Sequence, residues 1–558
     1  MAQGFSRVNL AAASFPLSFT LQGRSVFLGR WDQNYVRDVN SPQDEDRDHG
    51  IAQLFYGHNV MPTGVGYQSI GYDEQISAAS PSVNTFDKIF SLRDATEARY
   101  LFSPVAGLNY VYSPTTGAWT SISPLTGATN TTLVTVAYIN GHTYICYAGL
   151  GVFEYDDATQ TMLPVTLVGL VTANVLGICA AQGYLIVWDT TAIAWSSPVD
   201  ILDFTPDVTT GAGGGNVYDI RSTIVVVLPI NNGIVVYTKL NAVSGSYTGN
   251  VQLPFNFKEV AGSGGIDTPE QVSWEANLAA HYAWTSVGFQ QIDKSSAKLF
   301  FPDLTDFLAG RVFEDFDELT QIFITEYLIS PLSVKVTVCA ERLVLVSYGK
   351  VDGVYTHVIV YDLSLKRWGK LKITHVDAFD YLAVAAGTSG TTYQNLLDIG
   401  TTYADLIAAG TTYLDLLTGA AVVGTTPKAT VGFLLDTGEV ITANFDWKQL
   451  TNDGVLLLGK YQFSRERLMV LLGVEVETVH AGTNFACKIV PSMDGKNFSS
   501  FVTPVSRNSS GNLRAYNTQT QAMNHSVLLT GSFYVTNVGI NFTKGGVAMV
   551  GSATSNLS

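Results

Sequence analysis

Two apolar runs, Ile224–Ile230 and Ile234–Tyr237, flank the tripeptide Asn231-Asn232-Gly233. Asn and Gly tolerate the positive φ angles of a tight turn, so this pattern predicts a β-hairpin. Just upstream lie a Gly-rich loop, Gly211-Ala212-Gly213-Gly214-Gly215, and an aromatic-capped turn at Trp195. A short strand, a loop and a hairpin in this order read as one blade of a β-propeller.

The pattern recurs. Apolar strands end in an aromatic residue and a polar turn around Tyr112, Tyr155, Trp195 and Tyr237, landmarks spaced by roughly 40 to 43 residues, the period of a four-stranded blade. Later units centre near Gly288 and on Tyr361-Asp362 with Trp368. The expected fold is therefore all-β. A β-propeller of five to six blades occupies about 85–375, each blade burying its faces only against its neighbours. Two β-sandwiches with accidental spacing are the alternative. The acidic excursion Phe300–Leu328 mixes helical with irregular spacing, and its carboxylates read as a solvated face.

Residues 1–84 read as an N-terminal arm with short strands. Asp44, Asp46 and Asp48 alternate as in a calcium loop, but the glycine comes one position late and Phe55 stands where a closing Glu belongs, so this is a solvated loop. The Pro and Gly residues of GHNVMPTGVGYQSIGYDE (Gly57–Glu74) forbid a helix, and its aromatics predict an extended arm packed on something.

Beyond the last blade, 376–428 forms a linker carrying a decapeptide repeat. Gly390, Gly400 and Gly410 are in step, as are Tyr393, Tyr403 and Tyr413, and Asn395, Asp405 and Asp415. A period of ten suits three short turns stacked into a protruding lobe. These Tyr and Asx residues are the candidate partner-contact surface; a length-variable insertion without function is the other reading. Short alternating strands from 429 to 558 predict a C-terminal β-sandwich.

High apolar and low charged content, 46% and 14% of 558 residues, excludes disorder. A net charge of −16 argues against stable binding to a nucleic acid backbone, which needs Lys and Arg to displace counterions. It suits a surface past which DNA must slide. Cys146, Cys179, Cys339 and Cys487 are far apart in apolar runs and read as buried free thiols in a reducing compartment. No secretory signal or membrane-spanning run is expected. The eight histidines are dispersed, no Gly-x-Ser-x-Gly elbow occurs, and the Gly211–Gly215 loop lacks phosphate-cradling spacing. Nothing here calls for a cofactor, a metal or catalytic residues.

Six phrases occur together: NVMPTGVGYQSIGY (Asn59–Tyr72), SSPVDILDFTPDVTTGAGGG (Ser196–Gly215), VVYTKLNAVSGSYTGN (Val235–Asn250), PFNFKEVAGSGGI (Pro254–Ile266), TDFLAGRVFEDFD (Thr305–Asp317) and YDLSLKRWGKLKITHVD (Tyr361–Asp377). Over roughly 55–380 the chain resembles the tail nozzle proteins of short-tailed bacteriophages, also called tail tubular protein B or the propeller hub. The decapeptide insertion departs from that family. The resemblance implies a virion tail protein made in the host cytoplasm and assembled as a homohexameric ring. It implies a portal-adaptor protein above and a fibre, spike or tip protein around or below. Double-stranded DNA would be retained in the central channel and conducted at ejection without stable binding. In such a ring each contact is heterologous. The competing expectations are a receptor- or glycan-binding tail protein using the repeat lobe, and a propeller glycan hydrolase.

Overall fold

The computed structural model describes residues 17–20, 37–38, 54–76, 88–383 and 428–547, with short interruptions inside the longer spans. Among these residues the fold is all-β, with no α-helix and with several four-stranded antiparallel sheets compatible with propeller-like blades.

The strands follow from local turn chemistry. Ile139 pairs with His142 and Ala181 with Tyr184. Each two-residue turn between them has both members at positive φ, Asn140 (52°) and Gly141 (86°), and Gln182 (55°) and Gly183 (82°). Such turns match the right-handed twist of the strands they join. The expected hairpin also forms: Ile230 pairs with Gly233 across Asn231-Asn232, where Asn232, and not Asn231, takes a positive φ of 59°.

Five meanders of four strands succeed one another, spanning 90–122, 134–165, 177–216, 224–259 and 272–299. A sixth four-strand run, 335–375, heads a twelve-stranded sheet. The seventh unit joins Asp377–Ala383, Lys428–Leu434 and Val440–Asn444 to an N-terminal strand, Gly71–Ile76. Tyr184–Trp188, Gly233–Thr238, His281–Thr285 and Leu343–Tyr348, the second strands of four units, are buried at every position. They pack on both faces, which is why the sequence shows continuous apolar runs there rather than alternation.

The landmark spacing follows this repeat. Tyr112, Tyr155 and Trp195 lie on the third strands of the first three units, Leu108–Ser113, Gly151–Asp156 and Ala192–Trp195. Tyr237 lies instead on a second strand. The stretch around the first hairpin therefore spans two units: Gly213–Asn216 is the outermost strand of the third, and the hairpin opens the fourth. The Gly-rich loop expected there is a strand. Part of the acidic excursion is an antiparallel pair, Val312–Asp317 with Ile322–Leu328.

The predicted extended arm is a clasp. Leu54–His58 pairs with Gly454–Gln462 in a six-stranded sheet. Val60–Pro62 pairs with Arg367–His375 of the sixth unit and with Tyr67–Ser69, and the latter continues onto Phe533–Val547. Gly71–Ile76 then completes the seventh unit. Strand pairing here joins segments more than 350 residues apart.

Candidate functional site

A cavity of about 670 Å³ lies where the seven units meet, and the first strand of each, or the residues just before it, contributes to its wall: Ile89, Val136, Ile178, Val227, Val272, Val336 and Ala378 mark the seven in turn. A concave space with a few convergent polar groups is the default place to look for binding.

Polar bridges hold each neighbour to the next. Tyr147 on the second unit bonds Asn109 on the first. The Ile178 N–H donates to Thr135 Oγ1 at 2.9 Å, and Ile224 N–H to Thr190 O at 2.9 Å. His281 of the fifth unit sits 2.9 Å from both the Tyr237 hydroxyl and the Pro229 carbonyl of the fourth. Val338 N–H donates to Ser273 Oγ (3.0 Å), Ala340 N–H to Asp380 Oδ1 (2.9 Å), and Ile89 N–H to Asp377 Oδ2 (3.0 Å). That last bond joins the seventh unit to the first.

Charge gathers at one end of the cavity, where the first strands begin. Asp377 pairs with Lys335 through its other oxygen, so one carboxylate ties three units together. Lys88, of the first unit, reaches Glu270, just before the fifth, at 3.2 Å; Glu270 also accepts the Tyr355 hydroxyl at 3.3 Å. These charges meet in opposite pairs, which offsets the cost of removing them from water.

Next to this end, Ser347 Oγ lies 2.8 Å from His375 Nε2, whose Nδ1 meets the Ile373 carbonyl at 2.9 Å. With Nδ1 donating, Nε2 accepts from the serine. Both residues are buried, and burial first, then the nearby Lys335 charge, pushes the imidazole down to about 3. The pair is sealed from substrate and acts as a neutral bridge within the sixth unit. The four cysteines are buried and free; burial pushes Cys146 and Cys487 up to about 12. Among the described residues, no group of three or more His, Cys, Asp or Glu could hold a metal ion, and no helix is long and apolar enough to cross a membrane.

The sequence-derived contact residues Tyr393, Tyr403, Tyr413, Asn395, Asp405 and Asp415 lie outside the described residues. The charged end of the cavity escaped sequence reasoning, since Ile89 and Asp377 are 288 positions apart and no local pattern links them.

No family model matches the chain, and no curated protein does. Solved structures that resemble it include a chain of the mitotic checkpoint complex (11% identity, TM-score 0.32, covering 56% of this chain and 88% of that one). U3-55K matches at 10% identity and TM-score 0.34, covering 53% of this chain and 85% of its own. The extracellular domain of BT4673 from B. thetaiotaomicron matches at 9% identity and TM-score 0.39; 90% of this chain is covered but only 64% of that one, so the chain spans less than two thirds of its length. None is described as a phage tail protein, and at these scores they assign no function.

Proposed function

We propose that this chain is a structural subunit of a bacteriophage tail nozzle, with its seven four-stranded units arranged as one propeller. In this reading the two C-terminal sheets form a sandwich, supported by strand Arg467–Ala481 of one lying against Asn524–Gly531 of the other. The functional reading rests on the six phrases that resemble nozzle proteins; the geometry refines it.

The observation that carries the refinement is the Lys88–Glu270 pair, which joins the first unit to the approach of the fifth. B-DNA has a major groove alone about 12 Å wide, so a cavity of about 670 Å³ bridged by side chains offers a duplex no passage. The DNA conduit is then built between several copies of the chain, and each propeller is a closed block in its wall. The clasp at 54–76 suits that role, because it fastens the propeller to the C-terminal sheets through backbone pairing. An acidic chain lining such a conduit would repel phosphate rather than hold it.

The test is immunogold electron microscopy of intact phage particles with antibody raised to the 429–558 region. Label confined to a short axial tail below the capsid supports a nozzle. Label on lateral fibres or spikes favours receptor binding through the repeat lobe. Absence of label from particles that contain every other tail protein removes the virion role.

A further inference from the structure

A second concavity, of about 270 Å³, lies on the outer side of the third unit, away from the central cavity. Leu170, Val171, Trp188 and Phe204 supply apolar wall, and Gly213–Gly215 supply bare backbone. The indole nitrogen of Trp188 is buried without a hydrogen-bond partner, a donor that the folded chain leaves unused.

The glycine strand is the outermost of its unit, paired on one side only, with Ala192–Trp195. Gly214 and Gly215 hold φ at +149° and +141°, values that side chains oppose, and a Cβ on Gly215 would meet open space. Glycine inside a strand gives up packing and entropy, and it marks places where another backbone comes close. Elsewhere the outermost strands carry devices that discourage pairing: Pro164 in the second unit, Lys258 in the fourth, Lys298 in the fifth. Ala118–Ile122 of the first unit lacks them too, but presents a side chain at every position. Gly213–Asn216 has neither charge nor proline and three bare positions.

Charge identifies the occupant. Between Arg99 and Arg221 the chain has no lysine or arginine, yet it carries eight Asp and Glu residues. Asp189 lines the groove. Asp200, Asp203 and Asp207 stand on the loop that leads to the glycine strand, and this loop is fastened beside the groove by Phe204 N–H to Val168 O at 2.9 Å. The loop is built rather than slack: Asp200, Asp203 and Asp207 accept Leu202, Thr205 and Thr209 N–H at 3.1, 2.9 and 2.7 Å. On the same stretch of chain Val171, Val199, Val208 and Tyr218 are 66%, 91%, 67% and 91% exposed. These acidic and exposed apolar residues lie on a stretch whose next cation, Arg221, is engaged by Glu259 at 3.6 Å, and they favour a ligand that is basic and apolar together. A second copy, with a net charge of −16, is the poorer match.

We propose that this groove docks an extended, lysine- or arginine-bearing segment of another protein. The segment adds a strand to Gly213–Asn216, seats one apolar side chain between Val171 and Phe204, and sets its cations against the acidic rim. This mode takes affinity from main-chain bonds and specificity from alternate side chains. It is independent of the nozzle assignment.

The full chain is titrated, by fluorescence anisotropy, with a labelled ten-residue peptide of alternating lysine and valine. Three control peptides accompany it: glutamate for lysine, serine for valine, and the parent sequence N-methylated at alternate residues. The lysine–valine peptide is expected to bind at least tenfold tighter than each control, and to weaken with added salt. Val171→Arg, at an exposed position where the fold is unaffected, is expected to weaken it at least tenfold, while Val287→Arg, exposed on the fifth unit, leaves it unchanged. Equal binding of the N-methylated peptide overturns strand addition. Equal binding by the glutamate peptide overturns the basic occupant, and an unchanged affinity in Val171→Arg overturns the site. Self-association of the free chain that Val171→Arg abolishes would make a second copy the occupant and overturn the proposal as well.

Discussion

Asp377 accepts the backbone N–H of Ile89 at 3.0 Å across the seam between the last unit and the first, while its other oxygen holds Lys335. The Lys335 and Asp377 side chains are only 14% and 5% exposed. Removing one partner leaves the other charge with little solvent, which costs about 3–5 kcal/mol for a buried pair. Asp377→Ala is expected to lose that amount in urea unfolding. Asp377→Asn, which can still accept Ile89, is expected to lose less. Equal effects would show that the Ile89 hydrogen bond contributes nothing to the seam and that the ion pair carries it.

Buried histidines make stability depend on pH. Burial pushes His281 down to about 4 and His375 to about 3, against an ordinary value of 6.5. Below 6.5 the unfolded chain takes up protons that the folded chain refuses, so stability is full above 6.5 and falls as pH drops toward 4 and then 3. Each histidine contributes a slope of about 1.4 kcal/mol per pH unit in that window. His281→Gln is expected to reduce the measured slope by one proton between pH 6 and 4.5, and an unchanged slope would show that His281 titrates normally.

Asp362 shows why the Tyr-Asp landmark recurs at a strand end. One of its oxygens accepts Ser364 N–H, Leu365 N–H and the Ser364 hydroxyl at 2.9, 3.0 and 2.6 Å, folding the turn before Arg367. Hydrogen bonds to a charged group each contribute about 1.5–3 kcal/mol. Asp362→Ala should lower stability by at least ~2 kcal/mol, and Asp362→Asn by less, as read by thermal unfolding.

Gly66 lies where the clasp crosses the long C-terminal strand. A Cβ there would collide with the Val535 carbonyl oxygen, and backbone cannot move aside as a side chain can. Gly66→Ala is expected to destabilise the clasp by more than 2 kcal/mol, within the range of overpacking. Limited proteolysis should then cut near Thr63–Gly66 before it cuts the second strands of the units. Wild-type cleavage kinetics in this variant would contradict the crossing.

The thiols offer a probe of the cores. Burial raises Cys146, Cys179 and Cys487 well above the ordinary thiol range, and a thiol reagent attacks the thiolate. No rapid labelling of these three is expected in the native chain at pH 8, with full labelling after denaturation. Fast native labelling at any of them would mean that its strand opens.

Much of the architecture was legible because it is local. A two-residue turn such as Asn231-Asn232 dictates its own hairpin, and hairpins in series dictate meanders. Tyr112, Tyr155 and Trp195 therefore report the repeat correctly. Tyr237 shows the limit, since one aromatic residue marks a third strand in three units and a second strand in the next. Gly213–Gly215 misled in another way: glycine usually marks a loop, yet here it forms a strand whose partner side is bare.

The sequence by itself determined the all-β class, the rhythm of the strands, the extended clasp and the buried thiols, because each depends on neighbours within a few residues or on apolar content. Tertiary structure alone decided that Gly71–Ile76 completes a sheet with Val440–Asn444, that Asp377 meets Ile89 and Lys335, and that Lys88 meets Glu270. Pairings over such separations cost chain entropy that no local pattern records. They form only when units far apart in the chain meet, and a single strand or a single carboxylate carries no mark of the partner it will meet.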